Sequence, residues 1–418
     1  MSIYSQSWLL IAIFISTMTT VLADSVTPAS HHVDEMVVSP NLQLKDVLEK
    51  TFARSPQQAK LLSQQSVLDA RNQVASAMLP STPSLTIGHQ NDTVGSGRGE
   101  REWQAEVELP VWRPNQRQNR LKVADAFKSS LITSQESLKL QVAGTLRDAL
   151  WDIAFNDNNV ALASNKLEVS QRLQADVEKR FKAGELAKTD AIFAQQETLR
   201  AEKEKLRADA ELMHARHRYF VLTGLREMPA NIQEKQSSLE DYSQSPIWLE
   251  AQSKLGLAET ERQLANIESR DNFQVLISTR RIQGGFDTTF NDSVGLKIRI
   301  PFGGDARAAT IKSASELNLG NALSEQETLR LSLETAMHEA EHNLSVSQAE
   351  LGIASKQFDM AKESVRLAKK AFQLGETDLV SLLRVQAQTN EIERAFTSRQ
   401  IQLQWDIARY NQAVGVLP

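Results

Sequence analysis

Apolar positions recur every three to four residues along most of this chain, and only a few short stretches break that rhythm. Leu131, Leu138, Val142, Leu146, Ala149, Ile153 and Leu162 keep helical spacing in a run from about Asn115 to Lys182 whose only Gly is Gly144 and which has no Pro. The pattern predicts one helix of roughly 67 residues, about 100 Å long. A reversal follows at Arg180-Phe181-Lys182-Ala183-Gly184-Glu185, and a returning helix runs from about Leu186 to Leu222 before Gly224 and Pro229. Upstream, Leu42, Val47, Leu48, Ala59, Leu62, Ala70 and Val74 mark a helical segment broken at Ser55-Pro56 and stopped before Pro80. Between these helices the period changes to two. Leu85, Ile87 and His89 share a face, a Gly-rich turn spans Asn91 to Gly99, and Trp103, Ala105, Val107 and Leu109 alternate with Gln104, Glu106 and Glu108. That predicts a hairpin at about 84–112 with one apolar and one charged face.

The same script then repeats. Gly375 follows Gly184 by 375 − 184 = 191 residues, and no gap is needed around the match. At that step Phe181, Glu185, Gln195, Thr198, Glu202, Leu212, Arg218, Tyr219 and Gly224 meet Phe372, Glu376, Gln386, Thr389, Glu393, Leu403, Arg409, Tyr410 and Gly415. Pro110 meets Pro301, each closing a strand-like segment. Ser245-Pro246 echoes Ser55-Pro56 and opens a helix to about Ser269. A second hairpin at about 273–302 alternates Phe273, Val275, Ile277, Val294, Leu296, Ile298 and Ile300 with Gln274, Ser278, Lys297 and Arg299. One module is therefore written twice. The first repeat covers 42–229 with its tip at 184, a polar connector covers 230–245, and the second repeat covers 246–418 with its tip at 375.

Composition narrows the options. The 418 residues carry a formal net charge of −5 and no Cys. Disulfides, thiolate metal sites, a cysteine nucleophile and lipid attachment at Cys are excluded. Slight acidity argues against nucleic acid as a partner. The apolar run Trp8–Ile15 followed by Val21-Leu22-Ala23 reads as a signal peptide over 1–23, although the first basic residue is Lys45. A polar, loose segment is expected over 24–41.

A helix of this length needs neighbours along its whole side, so the expectation is a coiled-coil-like assembly. The hairpins allow two arrangements. A soluble sheet would bury its apolar face against helices. A membrane barrel would show that face to lipid and keep Glu106, Glu108, Lys297 and Arg299 in a wet lumen. Four strands are too few to close a barrel, so several copies must share one. Trp103, Trp112, Phe273 and Phe302 near strand ends suit an interfacial girdle.

The duplicated layout resembles the TolC-like outer-membrane efflux proteins. The features that carry the likeness are Arg180-Phe181-x-x-Gly184 with Asp190 and Gln195, Phe372-x-x-Gly375 with Leu382-Leu383 and Gln386, and the strand endings Val107-Glu108-Leu109-Pro110 and Ile298-Arg299-Ile300-Pro301. Length and strand endings look most like the CzcC branch, which serves heavy-metal cation exporters. The resemblance implies a fold that is mainly α with a small β part. Duplicated modules of long antiparallel helices form an α-barrel tunnel, and four β-strands per chain join a trimeric outer-membrane β-barrel. It also implies a homotrimer in outer-membrane lipid, a periplasmic adaptor protein and an inner-membrane RND-type pump. The tunnel tip would carry Gly184, Glu185, Asp190, Gly375, Glu376, Asp378, Ser381 and Arg384 as aperture or adaptor contacts. The sequence departs from the pattern in places. Ala371 stands where the first tip has Arg180, and the aperture carboxylates of TolC have Ser381 and Arg384 at the matching positions, with Asp378 out of register.

Other motifs invite chemistry. His338-Glu339-Ala340-Glu341-His342 matches HExxH, the pattern of a zinc protease. Its repeat partner, Arg147-Asp148-Ala149-Leu150-Trp151, has no such chemistry, and no third His follows at the required spacing. The expectation is a charged stripe on a long helix. His214 and His217 read as surface histidines, as does the pair His31-His32. Glu202-Lys203-Glu204-Lys205 reads as a solvated face. No catalytic, cofactor-binding or metal-binding residue is expected. The leading reading is a passive efflux duct; a periplasmic coiled-coil adaptor or scaffold and an HExxH protease are the alternatives.

Overall fold

The computed structural model describes residues 36–418; the expected signal peptide and the segment up to residue 35 lie outside the described residues. The chain runs β1 (Val37–Ser39), α1 (Leu44–Arg54), α2 (Gln58–Ser76), β2 (Ser84–Asn91), β3 (Arg101–Val111), α3 (Gln116–Lys182), α4 (Lys188–Thr223) and β4 (Glu227–Pro229). It continues through α5 (Pro246–Glu268), β5 (Phe273–Gln283), β6 (Asn291–Arg299), α6 (Asp305–Gln373) and α7 (Leu379–Ala413). The long helices α3 and α6 have 67 and 69 residues, so each rises about 100 Å.

Each long helix has two shorter ones along it. The later part of α3 packs on α4, and its earlier part packs on α2 and α5; α6 packs on α7 and α5. The shorter helices meet end to end. Gly224, in the left-handed region at the end of α4, closes on the Arg54 side chain beside the Ser55-Pro56 break. Gly415 closes in the same way on Ser245, which caps α5. A Cβ at Gly415 would collide with the Ser245 backbone, one at Gly224 would push the Arg54 guanidinium aside, and either would strain the left-handed backbone.

The main core sits where α1 wedges between α3 and α4. Val47, Leu48, Leu146, Leu150, Ile153, Leu212 and Tyr219 are buried together there. The second module has no copy of α1, and its smaller core of Leu344, Tyr410 and Val414 is completed by Leu239 of the connector. Both modules still satisfy their tyrosine in the same way: Tyr219 Oη donates to Glu227 O at 3.0 Å and Tyr410 Oη to Leu239 O at 2.7 Å. Burial pushes the Tyr219 hydroxyl up to about 12.

The expectation of a loose run over 24–41 needs correction at its end. Val37–Ser39 pairs in parallel with Glu227–Pro229, and Val37 N–H donates to Arg226 O at 2.9 Å. Three paired residues at each strand are too short a signal for period-two reading.

The connector is anchored by a buried ion pair. Arg147 of α3 bonds Glu234 through both guanidinium ends at 2.8 and 2.7 Å, and also reaches Gln412 of α7 at 2.5 Å and the Val416 carbonyl at 2.9 Å. Its side chain is 4% exposed and that of Glu234 is 8%. This pair ties α3, the connector and the C-terminal end together.

Candidate functional site

The strands β2, β3, β5 and β6 form one antiparallel sheet in the order β2-β3-β5-β6. The two hairpins are joined by β3 against β5 in a register running from Arg101 opposite Gln283 to Val111 opposite Phe273. No helix packs along this sheet among the described residues. β2 and β6 are both edge strands with a free ladder on their outer side.

Pairing assigns the faces. One face carries Leu85, Ile87, Trp103, Val107, Ile277, Val294, Leu296 and Ile298, all exposed. In water, so much contiguous apolar surface would draw the sheet beneath a helix, and here no helix of the described residues covers it. The aromatic residues divide into two levels. His89 stacks on Trp103 with ring centroids 4.1 Å apart, toward the loop end of the sheet. At the helical end, Trp112 donates its indole N–H to Met78 O at 3.0 Å, Arg113 lies over Phe273, and Phe302 is exposed. Strands of 8 to 11 residues separate the two levels, which is the length a tilted membrane strand needs.

The opposite face is a ladder of ion pairs. Glu102 bonds Arg280 through both oxygens at 2.6 Å, Glu106 accepts from Lys297 at 3.0 Å, and Glu108 accepts from Arg299 at 3.0 Å. Glu106 and Lys297 occupy equivalent places in the two repeats, as do Glu108 and Arg299, since 297 − 106 and 299 − 108 both equal 191. The sequence signals the charged face; the cross-repeat pairing that matches acid to base depends on β3 lying beside β5.

The other end of the chain holds the two tips. Gly184 has φ +78 and Gly375 has φ +75. At the first tip, Gly184 N–H donates to Phe181 O at 2.9 Å and Glu185 N–H to Arg180 O at 3.0 Å. At the second, Gly375 N–H donates to Phe372 O at 3.1 Å and Glu376 N–H to Ala371 O at 2.9 Å. Both are Schellman closures, which require a left-handed residue where only Gly is unstrained. Arg180 pairs with Glu185 at 3.2 Å and lies over the ring of Phe372, joining one tip to the other. Phe372 is buried with Val177, Ala194, Leu379 and Leu382, whereas its repeat partner Phe181 is exposed.

The acidic residues after the tips cap helices. Asp378 is the N-cap of α7 and accepts from Ser381 N–H at 2.7 Å. Asp190 lies three residues into α4 and accepts from Ala187 N–H at 3.2 Å. Since 378 − 187 and 381 − 190 both equal 191, cap and third residue exchange roles between repeats. Hydrogen bonds from Ser381, with Arg384 nearby, hold the Asp378 carboxyl below its ordinary value. Glu185, Glu376, Asp378, Ser381 and Arg384 are exposed, and Asp190 is half-buried.

His338 and His342 lie side by side on α6, ring centroids 6.5 Å apart and both exposed. Within the chain, no group of three His, Cys, Asp or Glu residues among the described residues is arranged to hold a metal ion. No helix among them is long and apolar enough to cross a membrane.

Neither a protein-family model nor a curated protein sequence matches the chain. Solved structures do. The outer membrane protein VceC of Vibrio cholerae aligns with TM-score 0.72 at 14% identity over 90% of this chain and 96% of that one. The outer-membrane channel OprN aligns with TM-score 0.71 at 16% identity over 89% of each chain. The MtrE outer membrane channel of Neisseria gonorrhoeae, in its open state, aligns with TM-score 0.68 at 13% identity over 93% of each. With its long paired helices, small sheet and doubled tip, the chain has the fold of these outer-membrane channels along nearly its whole length.

Proposed function

We propose that the chain is a TolC-like outer-membrane channel, the passive exit duct of a tripartite efflux system, built as a homotrimer. The observation that carries this is the bare sheet: an apolar face without cover, a charge-paired face opposite, and an open edge on either side. Successive strands alternate in direction, so β6 of one copy can pair antiparallel with β2 of the next. Three copies of a four-stranded sheet give twelve strands and leave no edge in lipid. A periplasmic scaffold leaves the lipid-suited face without a purpose.

The helices support the same ring. Thr198 Oγ1 donates to Ser170 O at 3.2 Å and Thr389 Oγ1 to Ala361 O at 3.4 Å; both partners move by 191, so the modules share one register. Inside the chain, module one meets module two through α3 against α7, where Asn158 bonds Thr397 at 3.1 Å and Gln412 bonds the Leu140 carbonyl at 2.9 Å. One repeat further on, these pairs become Ala349 against Leu206 and Leu331 against Val221, with α6 facing α4 of the next copy. Leu206, Leu331 and Val221 are exposed in the single chain. On the same two surfaces, Ile353, Met360 and Leu367 of α6, and Ile192, Leu199, Leu206 and Met213 of α4, recur every seven residues and stand exposed. A seven-residue apolar repeat is the signature of a helix awaiting a helical neighbour.

In this reading the tips, with Gly184, Glu185, Asp190, Gly375, Glu376, Asp378, Ser381 and Arg384, form the periplasmic end that meets an adaptor and, through it, an RND-type pump that supplies the energy. The CzcC-like strand endings favour heavy-metal cations as cargo. Purification tests the reading: a detergent-dependent trimer in the outer-membrane fraction is expected. Recovery as a soluble periplasmic monomer would overturn it. Loss of metal tolerance in a deletion strain, without loss of drug tolerance, is the outcome expected for a metal-cation cargo.

A further inference from the structure

Four histidines lie on the two helix faces that one chain leaves without a neighbour. His338 and His342 stand on α6, and His214 and His217 on α4, all exposed. Moving the contact between α3 and α7 by one repeat shows what each would meet. Trp405 Nε1 donates to Asp148 Oδ1 at 3.0 Å within the chain. Because 405 − 191 = 214 and 148 + 191 = 339, that contact becomes His214 of one copy against Glu339 of the next. Arg147 and Trp151, which flank Asp148 on α3 and are each 4% exposed, become His338 and His342. Ala408, fully buried one turn from Trp405, becomes His217. All four imidazoles therefore converge at one level of the same boundary.

The local geometry favours this convergence. His338 and His342 are one helical turn apart with rings nearly parallel, 15° between planes, which puts both on one side of α6. On α4, the neighbouring cations turn away: Arg218 pairs with Asp152, and Arg216 with Asp157 at 3.9 Å, both on the chain's own α3. Arg218 lies one turn from His214 on the same side of α4, and its guanidinium is tied to Asp152.

We infer that each subunit boundary holds a transition-metal site of the Zn²⁺ class, formed by His214 and His217 of one copy with His338 and His342 of the next. Two imidazoles at i, i+3 and two at i, i+4 give four nitrogen donors, a set that suits tetrahedral Zn²⁺. Glu339 faces His214 in this register and is the carboxylate that orients its ring. The site would clamp neighbouring copies together. It rests on the ring proposed above, so its test must report on ring and site separately.

The chain has no Cys, which makes a cross-linking test clean. Leu206→Cys with Ala349→Cys should yield covalent dimers and trimers with a short bismaleimide, while either single variant stays monomeric on a denaturing gel. Chelator-stripped trimer in detergent is then titrated with Zn²⁺ by calorimetry. One ion per boundary is expected. His214→Ala/His217→Ala and His338→Ala/His342→Ala should each weaken binding at least about tenfold, a loss of about 1.4 kcal/mol, with the trimer retained. Cross-linking without Zn²⁺ binding, or binding that survives loss of either pair, overturns the site and leaves the ring standing. A chain that neither trimerises nor cross-links overturns the ring, and the site with it.

Discussion

The long helices α3 and α6 are copies of one another that live in different surroundings. α3 lies inside the array, with α2, α4, α5 and α7 around it, and buries Leu138, Leu140, Val142, Leu146, Leu150 and Ile153. α6 lies at its margin, with α5 and α7 on one side, and exposes Leu331, Val346, Ile353, Met360 and Leu367 on the other. The buried hub Arg147 has the exposed His338 as its counterpart. The difference teaches that burial here follows position in the array and not the module itself. A marginal helix that keeps an apolar stripe is drawn for a neighbour the single chain does not supply.

Substitutions can break this comparison. Arg147→Ala should cost about 3–5 kcal/mol in denaturant unfolding, since it leaves Glu234 buried and unpaired. His338→Ala, at the equivalent place, should stay within about 0.5 kcal/mol in metal-free protein. Equal effects would dissolve the contrast. Next, Leu146→Ala in the core should cost about 2–5 kcal/mol, whereas Ile353→Asp should leave the chain folded and abolish the proposed trimer on native mass spectrometry. An intact trimer with Asp at 353 would remove α6 from the boundary.

Smaller effects sharpen the likeness between the modules. Gly184→Ala and Gly375→Ala should each cost about 1–2 kcal/mol and by similar amounts, because both glycines hold the same left-handed closure. The raised value of Tyr219 makes alkaline stability fall from pH 10 up to about 12, because the folded state keeps a proton the unfolded chain gives up. Tyr219→Phe should flatten that slope. The carboxyl of Asp378 is lowered, so its contribution is present above the ordinary value of 3.8 and is lost as pH falls through the native one. Asp378→Asn should remove that acid slope, the slightest of the effects, followed by circular dichroism.

Much of the fold was legible because its punctuation is local. Gly184, Gly375 and Ser55-Pro56 end helices and Ser245-Pro246 opens one, each through its own backbone preferences, and the 191-residue step relates the two tip glycines. The hairpins were legible from period-two alternation. What escaped depends on which elements meet. Nothing in the segment around Arg147 announces Glu234, 87 residues away, and the exchange of roles between Asp190 and Asp378 needs cap geometry. The sequence marks Trp103 and Trp112 alike as strand-end aromatics; only the paired strands separate them into two levels. The short pairing of β1 with β4 carries no periodic signal at all.

The charged face of the sheet is internally matched. Glu102, Glu106 and Glu108 are answered by Arg280, Lys297 and Arg299, so this lining sums to zero. In the proposed barrel this stretch of wall favours neither cations nor anions, so Lys297→Gln should shift the reversal potential of single-channel currents across a salt gradient toward cation preference. Discrimination among cargoes then belongs to whatever machinery loads the conduit, and the wall can serve many solutes without alteration.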